Sequence, residues 1–197
     1  MNSIIEFKNV SKQYGHANKI NVLNKINFNF KKGNIYSLVG PSGSGKSTLL
    51  NLLSLIDRPT SGTIRILNNT INYNRSMDND LLRAKKIGII YQENNLLPDF
   101  TALENVYLAR LAISNNKKKA IYDALTIINK LGISKRKNHF SNELSGGEIH
   151  RVAISRALIN SPEIILADEP TGSLDFKNAK EVFKILFKLK NTNRLII

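Results

Sequence analysis

Gly40-Pro41-Ser42-Gly43-Ser44-Gly45-Lys46-Ser47-Thr48 is the stretch that decides the fold, because it fits the spacing G-x-x-x-x-G-K-[ST]. Before it, Ile35-Tyr-Ser-Leu-Val39 is a short apolar run that predicts a buried strand. After it, Leu49-Leu-Asn-Leu-Leu-Ser-Leu-Ile56 predicts a helix opening at Lys46. Glycines at 40, 43 and 45 let successive backbone N–H groups point into one concavity, and a helix N-terminus adds partial positive charge. In such a loop Lys46 would reach β- and γ-phosphates, and the Ser47 hydroxyl would ligate Mg²⁺. The plain alternative is an ordinary glycine-rich turn between a strand and a helix. The complete motif in its required context outweighs it.

The chain has 197 residues, enough for one domain with a substantial core and an inserted lobe. It has no cysteine, which rules out a disulfide framework and a thiolate metal site and suits a reducing compartment. No apolar run approaches the roughly 18 residues of a membrane span, and Met1-Asn-Ser-Ile-Ile-Glu6 lacks the basic start and apolar stretch of a signal peptide. The expectation is a soluble chain, or one held at a membrane only through a partner. The net charge of +14 invites a nucleic-acid reading. Against it, lysine outnumbers arginine 20 to 9, the bases scatter, and no recognition helix, zinc finger or aromatic-basic pattern occurs. The charge is better explained by composition bias with mild attraction to anionic headgroups and nucleotide, so no nucleic-acid partner is expected.

The first ninety residues read as mostly β. Ile4-Ile-Glu-Phe-Lys-Asn-Val10, Asn21-Val-Leu-Asn-Lys-Ile-Asn-Phe-Asn-Phe30 and Gly62-Thr-Ile-Arg-Ile-Leu67 alternate apolar and polar residues, and Lys31-Lys-Gly33 reads as a turn. Helical spacing takes over at Leu103-Glu-Asn-Val-Tyr-Leu-Ala-Arg-Leu111 and Ala120-Ile-Tyr-Asp-Ala-Leu-Thr-Ile-Ile-Asn-Lys-Leu131, with Gly132 as a stop. Ile164-Ile-Leu-Ala167 returns to a buried strand, and residues 178–189 form another amphipathic helix. The strand ends in Asp168-Glu169, two carboxylates suited to Mg²⁺-assisted phosphoryl transfer. Asp168 would hold Mg²⁺, and Glu169, aimed elsewhere, would orient and polarise an attacking water. A polar strand end before the Pro170 turn is the bland reading, and the phosphate loop argues against it.

Leu144-Ser145-Gly146-Gly147-Glu148, followed by Ile-His-Arg-Val-Ala-Ile-Ser-Arg-Ala-Leu158, is a second anion cradle ahead of a helix. It also fits a capping box with Ser145 as N-cap and Glu148 three residues on. This stretch resembles the signature sequence of ATP-binding cassette (ABC) ATPases, and the resemblance covers essentially the whole chain. It implies an α/β phosphate-loop NTPase core with an N-terminal antiparallel β subdomain and an inserted helical signature subdomain. In that division residues 1–92 and 161–197 form the nucleotide-binding core and residues 93–160 the helical subdomain. The resemblance implies ATP and Mg²⁺ as cofactors and a head-to-tail dimer in which Ser145, Gly146 and Gly147 contact ATP held by the other copy's residues 40–48. It makes Tyr14 the aromatic residue that stacks on adenine, where a surface tyrosine at a turn is the alternative. Gln92 becomes the glutamine that senses Mg²⁺ and the γ-phosphate, and Ser173-Leu174-Asp175 the loop that crosses the dimer interface. Glu169, Lys46 and Gln92 are then the catalytic set, with Ser47, Gln92 and Asp168 at the metal.

Within the family, Tyr91-Gln-Glu-Asn-Asn-Leu-Leu-Pro-Asp-Phe-Thr-Ala-Leu-Glu-Asn-Val106 looks most like ATPase subunits of bacterial lipoprotein-releasing transporters. That likeness implies a peripheral protein on the cytoplasmic face of the inner membrane. Its membrane permease partners would dock near residues 92–106, where an exposed Leu96-Leu97 patch needs cover. Asp57-Arg-Pro-Thr-Ser-Gly62 and Pro170-Thr-Gly-Ser-Leu-Asp175 are shared with related exporters, which stay open as the alternative transport role. The family pattern also places a γ-phosphate histidine about five residues beyond Ile197. Without it nucleotide affinity should hold while turnover falls, which keeps open a hydrolysis-impaired, ATP-gated binding module. His16, His139 and His150 do not replace that histidine and are expected on surfaces or helix faces; His150 stands where the family usually has glutamine.

Overall fold

Strand β1 (Ser3–Tyr14) pairs antiparallel with β2 (Ile20–Lys31) on one side and β3 (Ser61–Ile66) on the other. A two-residue strand β4 (Asn69–Thr70) completes the order β2-β1-β3-β4. The alternation visible in the sequence is what this sheet uses: Ile5, Phe7 and Val10 of β1, Phe30 of β2 and Ile64 and Ile66 of β3 are buried. Phe28 and Phe30 stack edge-on at 4.7 Å, and Tyr36 meets Phe30 at 5.2 Å. The computed structural model describes residues 3–15, 17–172 and 174–197. His16 and Ser173, both singled out in the sequence, lie outside the described residues. The chain divides into one unit of Met1–Arg83 with Lys190–Ile197 and another of Ala84–Leu189.

In the first unit, α1 (Lys46–Leu53) opens where the motif requires. The apolar run before it corrects the expectation. Residues 35–39 do not form a buried strand; Ile35 makes a single parallel bridge to Ile196, and Val39 is 91 % exposed. The reason is a shortage of ladder partners. Among the described residues the backbone bonds here run to β7 (Leu195–Ile196), from Tyr36 N–H to the Ile196 carbonyl at 2.9 Å and from Ile196 N–H to the carbonyl of the preceding Asn34 at 3.1 Å. A second correction is α2 (Ser76–Lys86), a helix inside a stretch that reads as β. Its anchors are polar: the buried Asn79 amide donates to the Asn72 carbonyl at 3.0 Å, and Arg83 donates to the Leu55 carbonyl at 3.2 Å.

In the second unit, β5 (Ile87–Ile90) and β6 (Ile164–Ala167) pair in parallel, Ile87 opposite Ile164 and Ile90 opposite Ala167. Parallel neighbours need a long crossover, and the intervening chain supplies helices α3 (Ala102–Leu111), α4 (Lys117–Lys130) and α5 (Gly146–Leu158). These pack about Val106, Tyr107, Ala120, Ala124, Ile128 and Val152. Gly132 ends α4 as expected, with φ +74 and its N–H bonded to the Asn129 carbonyl at 3.0 Å. Thr101 caps α3 in a reciprocal box with Glu104. Helix α6 (Phe176–Leu189) follows β6 and begins two residues earlier than its apolar spacing suggests, because the Asp175 carboxylate accepts from Asn178 N–H at 2.9 Å.

Candidate functional site

The phosphate-loop motif folds into an open turn on α1. Gly43 and Gly45 have φ of +80 and +92, and a side chain on Gly43 would meet nothing within 4 Å, so the space beside Gly43 is open. Gly45 has no such room: a Cβ would stand 3.1 Å from Leu23 and 3.2 Å from Val22, both of β2. That contact sets the start of α1 against the sheet. The Lys46 ammonium donates to the carbonyls of Gly40 at 2.9 Å and Pro41 at 3.0 Å, which folds it across its own loop. Ser44 N–H closes the turn onto Pro41 at 3.2 Å. With N–H groups at a helix start and a cation beside them, the residues fit a polyphosphate.

Beside α1, Tyr14 ends β1 and is 41 % exposed. Its phenol donates to Asp57 Oδ2 at 2.8 Å, and burial together with this bond raises the phenol's pKa. Lys12 has its ammonium on Asp57 Oδ1 at 2.6 Å and 4.7 Å from the centre of the Tyr14 ring. Lys12 went unmarked in the sequence, and Asp57 stood out only as the first residue of the stretch shared with related exporters. A lysine on an alternating strand reads as a solvent-facing residue, yet this one is only 8 % exposed.

In the second unit, Gln92 follows β5 and Asp168-Glu169 follows β6, so parallel pairing brings these strand ends side by side. Asp168 N–H donates to the Ile90 carbonyl at 2.9 Å. Glu169 has φ +43, an uncommon conformation for a residue with a side chain, and its carbonyl accepts from Gly172 N–H at 2.9 Å. A Cβ on Gly172 would lie 3.3 Å from Gln92 Nε2 and 3.5 Å from Glu169 Oε2, so both side chains converge on this glycine. The structure thus joins two residues 77 positions apart in sequence (169 minus 92). Among the described residues no group of three or more His, Cys, Asp and Glu forms a metal cluster. The hydroxyl, amide and carboxylate oxygens of Ser47, Gln92 and Asp168 are the hard donors that Mg²⁺ prefers.

The signature segment forms the capping box. Ser145 N–H and Oγ–H both donate to Glu148 Oε2 at 2.9 Å, and Arg136 donates to Glu148 Oε1 at 2.8 Å. A Cβ on Gly147 would stand 2.5 Å from Asn178 Oδ1, while Asn178 Nδ2 donates to Asp175 at 2.6 Å. Gly147 and Asp175, both predicted site residues, are therefore linked through Asn178. The Ser145 backbone bond and then Arg136 hold the Glu148 carboxyl down at about 2, from an ordinary 4.5. A depressed carboxyl stabilises the fold above its unfolded value, and that contribution is lost as pH falls through the folded one. Urea midpoints are therefore expected to drop between about pH 4.5 and 2, and Glu148→Gln should flatten that limb. An equally steep limb in Glu148→Gln would place the titration elsewhere.

Two expectations change here. His150 is not on a surface; it is 2 % exposed, with Nδ1 3.0 Å from the Gly146 carbonyl and 3.2 Å from Asn94 Nδ2. It lies on the inward face of α5, where packing overrides its polarity. His139 is half-buried, its Nε2 3.2 Å from Arg136. Of the Leu96-Leu97 pair only Leu97 is exposed, at 45 %; Leu96 packs on the helical core. Arg156 of α5 grips the same segment, donating to the carbonyls of Asn94 at 2.6 Å and Asn95, and burial lowers its pKa. Asn105 shapes the next turn: its buried amide donates to the carbonyls of Leu97, Phe100 and Thr101 and accepts from Leu97 N–H at 2.8 Å. The apolar residues of α3 are spread around the helix, so no inward face marked Asn105 in the sequence.

No helix of the described residues is long and apolar enough to cross a membrane. A family model described as "ABC transporter" matches residues 23–172. The lipoprotein-releasing system ATP-binding protein LolD of Rickettsia bellii is 48 % identical over 198 residues, covering 100 % of this chain and 87 % of that protein. The LolD of Cytophaga hutchinsonii is 42 % identical, covering 98 % and 86 %. Among solved structures, the ATP-binding cassette MJ0796, a dimer in a post-hydrolysis state bound to ADP and Pi, superposes with a TM-score of 0.89 at 38 % identity, covering 98 % of this chain and 86 % of that one. The likeness extends over nearly the whole sequence, and the chain belongs to the ABC transporter family with its mixed α/β cassette fold.

Proposed function

We propose that this chain binds and hydrolyses MgATP as the motor subunit of a bacterial membrane complex that releases lipoproteins from the inner membrane. The observation that carries the reading is likeness to LolD proteins along the whole chain, at 48 % identity for one of them, combined with an open phosphate loop. Backbone N–H groups of residues 40–48 and Lys46 bind the phosphates, and Tyr14 stacks on the base. Glu169 accepts a proton from the attacking water, and Gln92, beside it, orients that water. Ser47, Gln92 and Asp168 are the oxygen donors that would hold Mg²⁺, which when bound neutralises charge on the phosphate oxygens. A second copy brings its Ser145, Gly146, Gly147 and Asp175 to the nucleotide, so that phosphate charge holds two subunits together until hydrolysis removes it. Permease subunits engage residues 92–106, where Leu97 and Phe100 are exposed.

The test is Mg²⁺-dependent phosphate release from ATP by the purified chain, alone and with co-expressed lipoprotein-releasing permease subunits. Turnover that rises in the complex, with the chain co-purifying in membranes, is the expected result. An active chain that assembles only with another exporter's permease would overturn the lipoprotein assignment. A chain that binds ATP and never turns it over, in any complex, would replace the motor with a gate.

A further inference from the structure

Tyr14 does not stand free beside the phosphate loop. Its phenol is bonded to Asp57 at 2.8 Å. Asp57 follows α1, its own N–H bonded to the Asn51 carbonyl of that helix at 3.2 Å. The Asp57 carboxylate also accepts from Arg58 N–H at 2.7 Å and from the Lys12 ammonium at 2.6 Å, which lowers its pKa. The ammonium is fixed in turn by the Arg58 carbonyl at 2.8 Å and lies over the Tyr14 ring. One face of the ring is thereby taken by a cation. A planar base can stack only on the other face, and the cation draws π density away from it, which favours an electron-rich purine.

We propose that Lys12 and Asp57 are positioning residues for nucleobase recognition, holding Tyr14 as a one-faced stacking platform fixed to the same helix that carries the phosphate loop. The proposal rests on the ATP-binding reading. Base and phosphates are then read in one register, because platform and cradle share α1 as their frame. Asp57→Asn keeps the shape and removes the charge that anchors both partners. Tyr14→Phe keeps the ring and removes the anchor bond, and Lys12→Met keeps the stem and removes the cation.

The experiment measures, by calorimetry on the full chain with Mg²⁺, the Kd for ATP and for inorganic tripolyphosphate, which has no base. In Asp57→Asn, ATP affinity is expected to fall about tenfold while tripolyphosphate affinity changes less than about twofold. Tyr14→Phe and Lys12→Met should lose ATP affinity in the same direction by smaller factors. In a Tyr14→Ala background Asp57→Asn should cost ATP nothing further. Equal losses for both ligands would overturn the proposal and make Asp57 a structural support of α1. So would unchanged ATP affinity in Asp57→Asn or, should that variant fail to fold, in Tyr14→Phe. A parent chain that binds tripolyphosphate as tightly as ATP overturns the platform and leaves the phosphate loop standing. One that binds neither overturns the ATP reading itself and the platform with it.

Discussion

Glu169→Gln is expected to lower steady-state ATP turnover by at least about a hundredfold while leaving ATP affinity within about threefold, since a positioned general base contributes roughly 10²–10⁴. The substitution conserves shape and removes the negative charge and with it the capacity to take a proton. Glu169 sits at φ +43 immediately past β6, where a side-chain-bearing residue is strained by on the order of 1–2 kcal/mol. The bond from Gly172 N–H to its carbonyl holds it there, and the turn delivers its carboxylate to the same glycine that Gln92 meets. Strain of this kind at a carboxylate is what the proposed general-base role would use to aim the side chain. Calorimetric Kd and phosphate-release rates, measured on parent and variant, decide the matter. Turnover within tenfold of the parent would assign the proton to another group.

Gly62→Ala is expected to destabilise the first unit by about 3 kcal/mol or more, a fall of roughly 6–12 °C in melting temperature for a chain of this size. Gly62 has φ +87, and a Cβ there would stand 2.3 Å from the Asn9 carbonyl oxygen and 2.7 Å from that of Lys8. Those atoms are backbone, so no side chain can swing aside. Asn9 itself has φ +51 and lies where the pairing of β1 with β3 slips between Lys8 and Ser11, the mark of a bulge. Relief would come from parting the two strands, and β1 beyond that point carries Lys12 and Tyr14. ATP affinity should therefore fall together with the melting temperature. A variant that melts within about 2 °C of the parent would show that the bulge can be rebuilt with a side chain at 62.

Much of this was legible because the physics was local. The opening of α1 at Lys46, the Ser145–Glu148 capping box and the Gly132 stop each depend on residues within a few positions of one another, and each took its expected form. What was illegible depended on distant partners or weak patterns. Helix α2 buries Asn79 and leaves Met77 and Leu81 exposed, so its apolar residues do not mark the face that packs. Residues 35–39 carry the apolar content of a strand, but a ladder also needs backbone across from it. Lys12 and Asp57 are 45 residues apart, and no spacing rule joins a strand lysine to a carboxylate past a helix. His150 shows the same limit from inside a helix, since which face turns inward is decided by α3 and α4.

The amide of Asn105 binds only main-chain atoms of Leu97, Phe100 and Thr101. The side chains of Leu97 and Phe100 take no part in those bonds. Leu97 and Phe100 can therefore be exchanged over generations, altering what the surface attracts, while one inward-facing asparagine keeps the contour. A lineage can in this way retune its choice of companion without rebuilding the helix beneath.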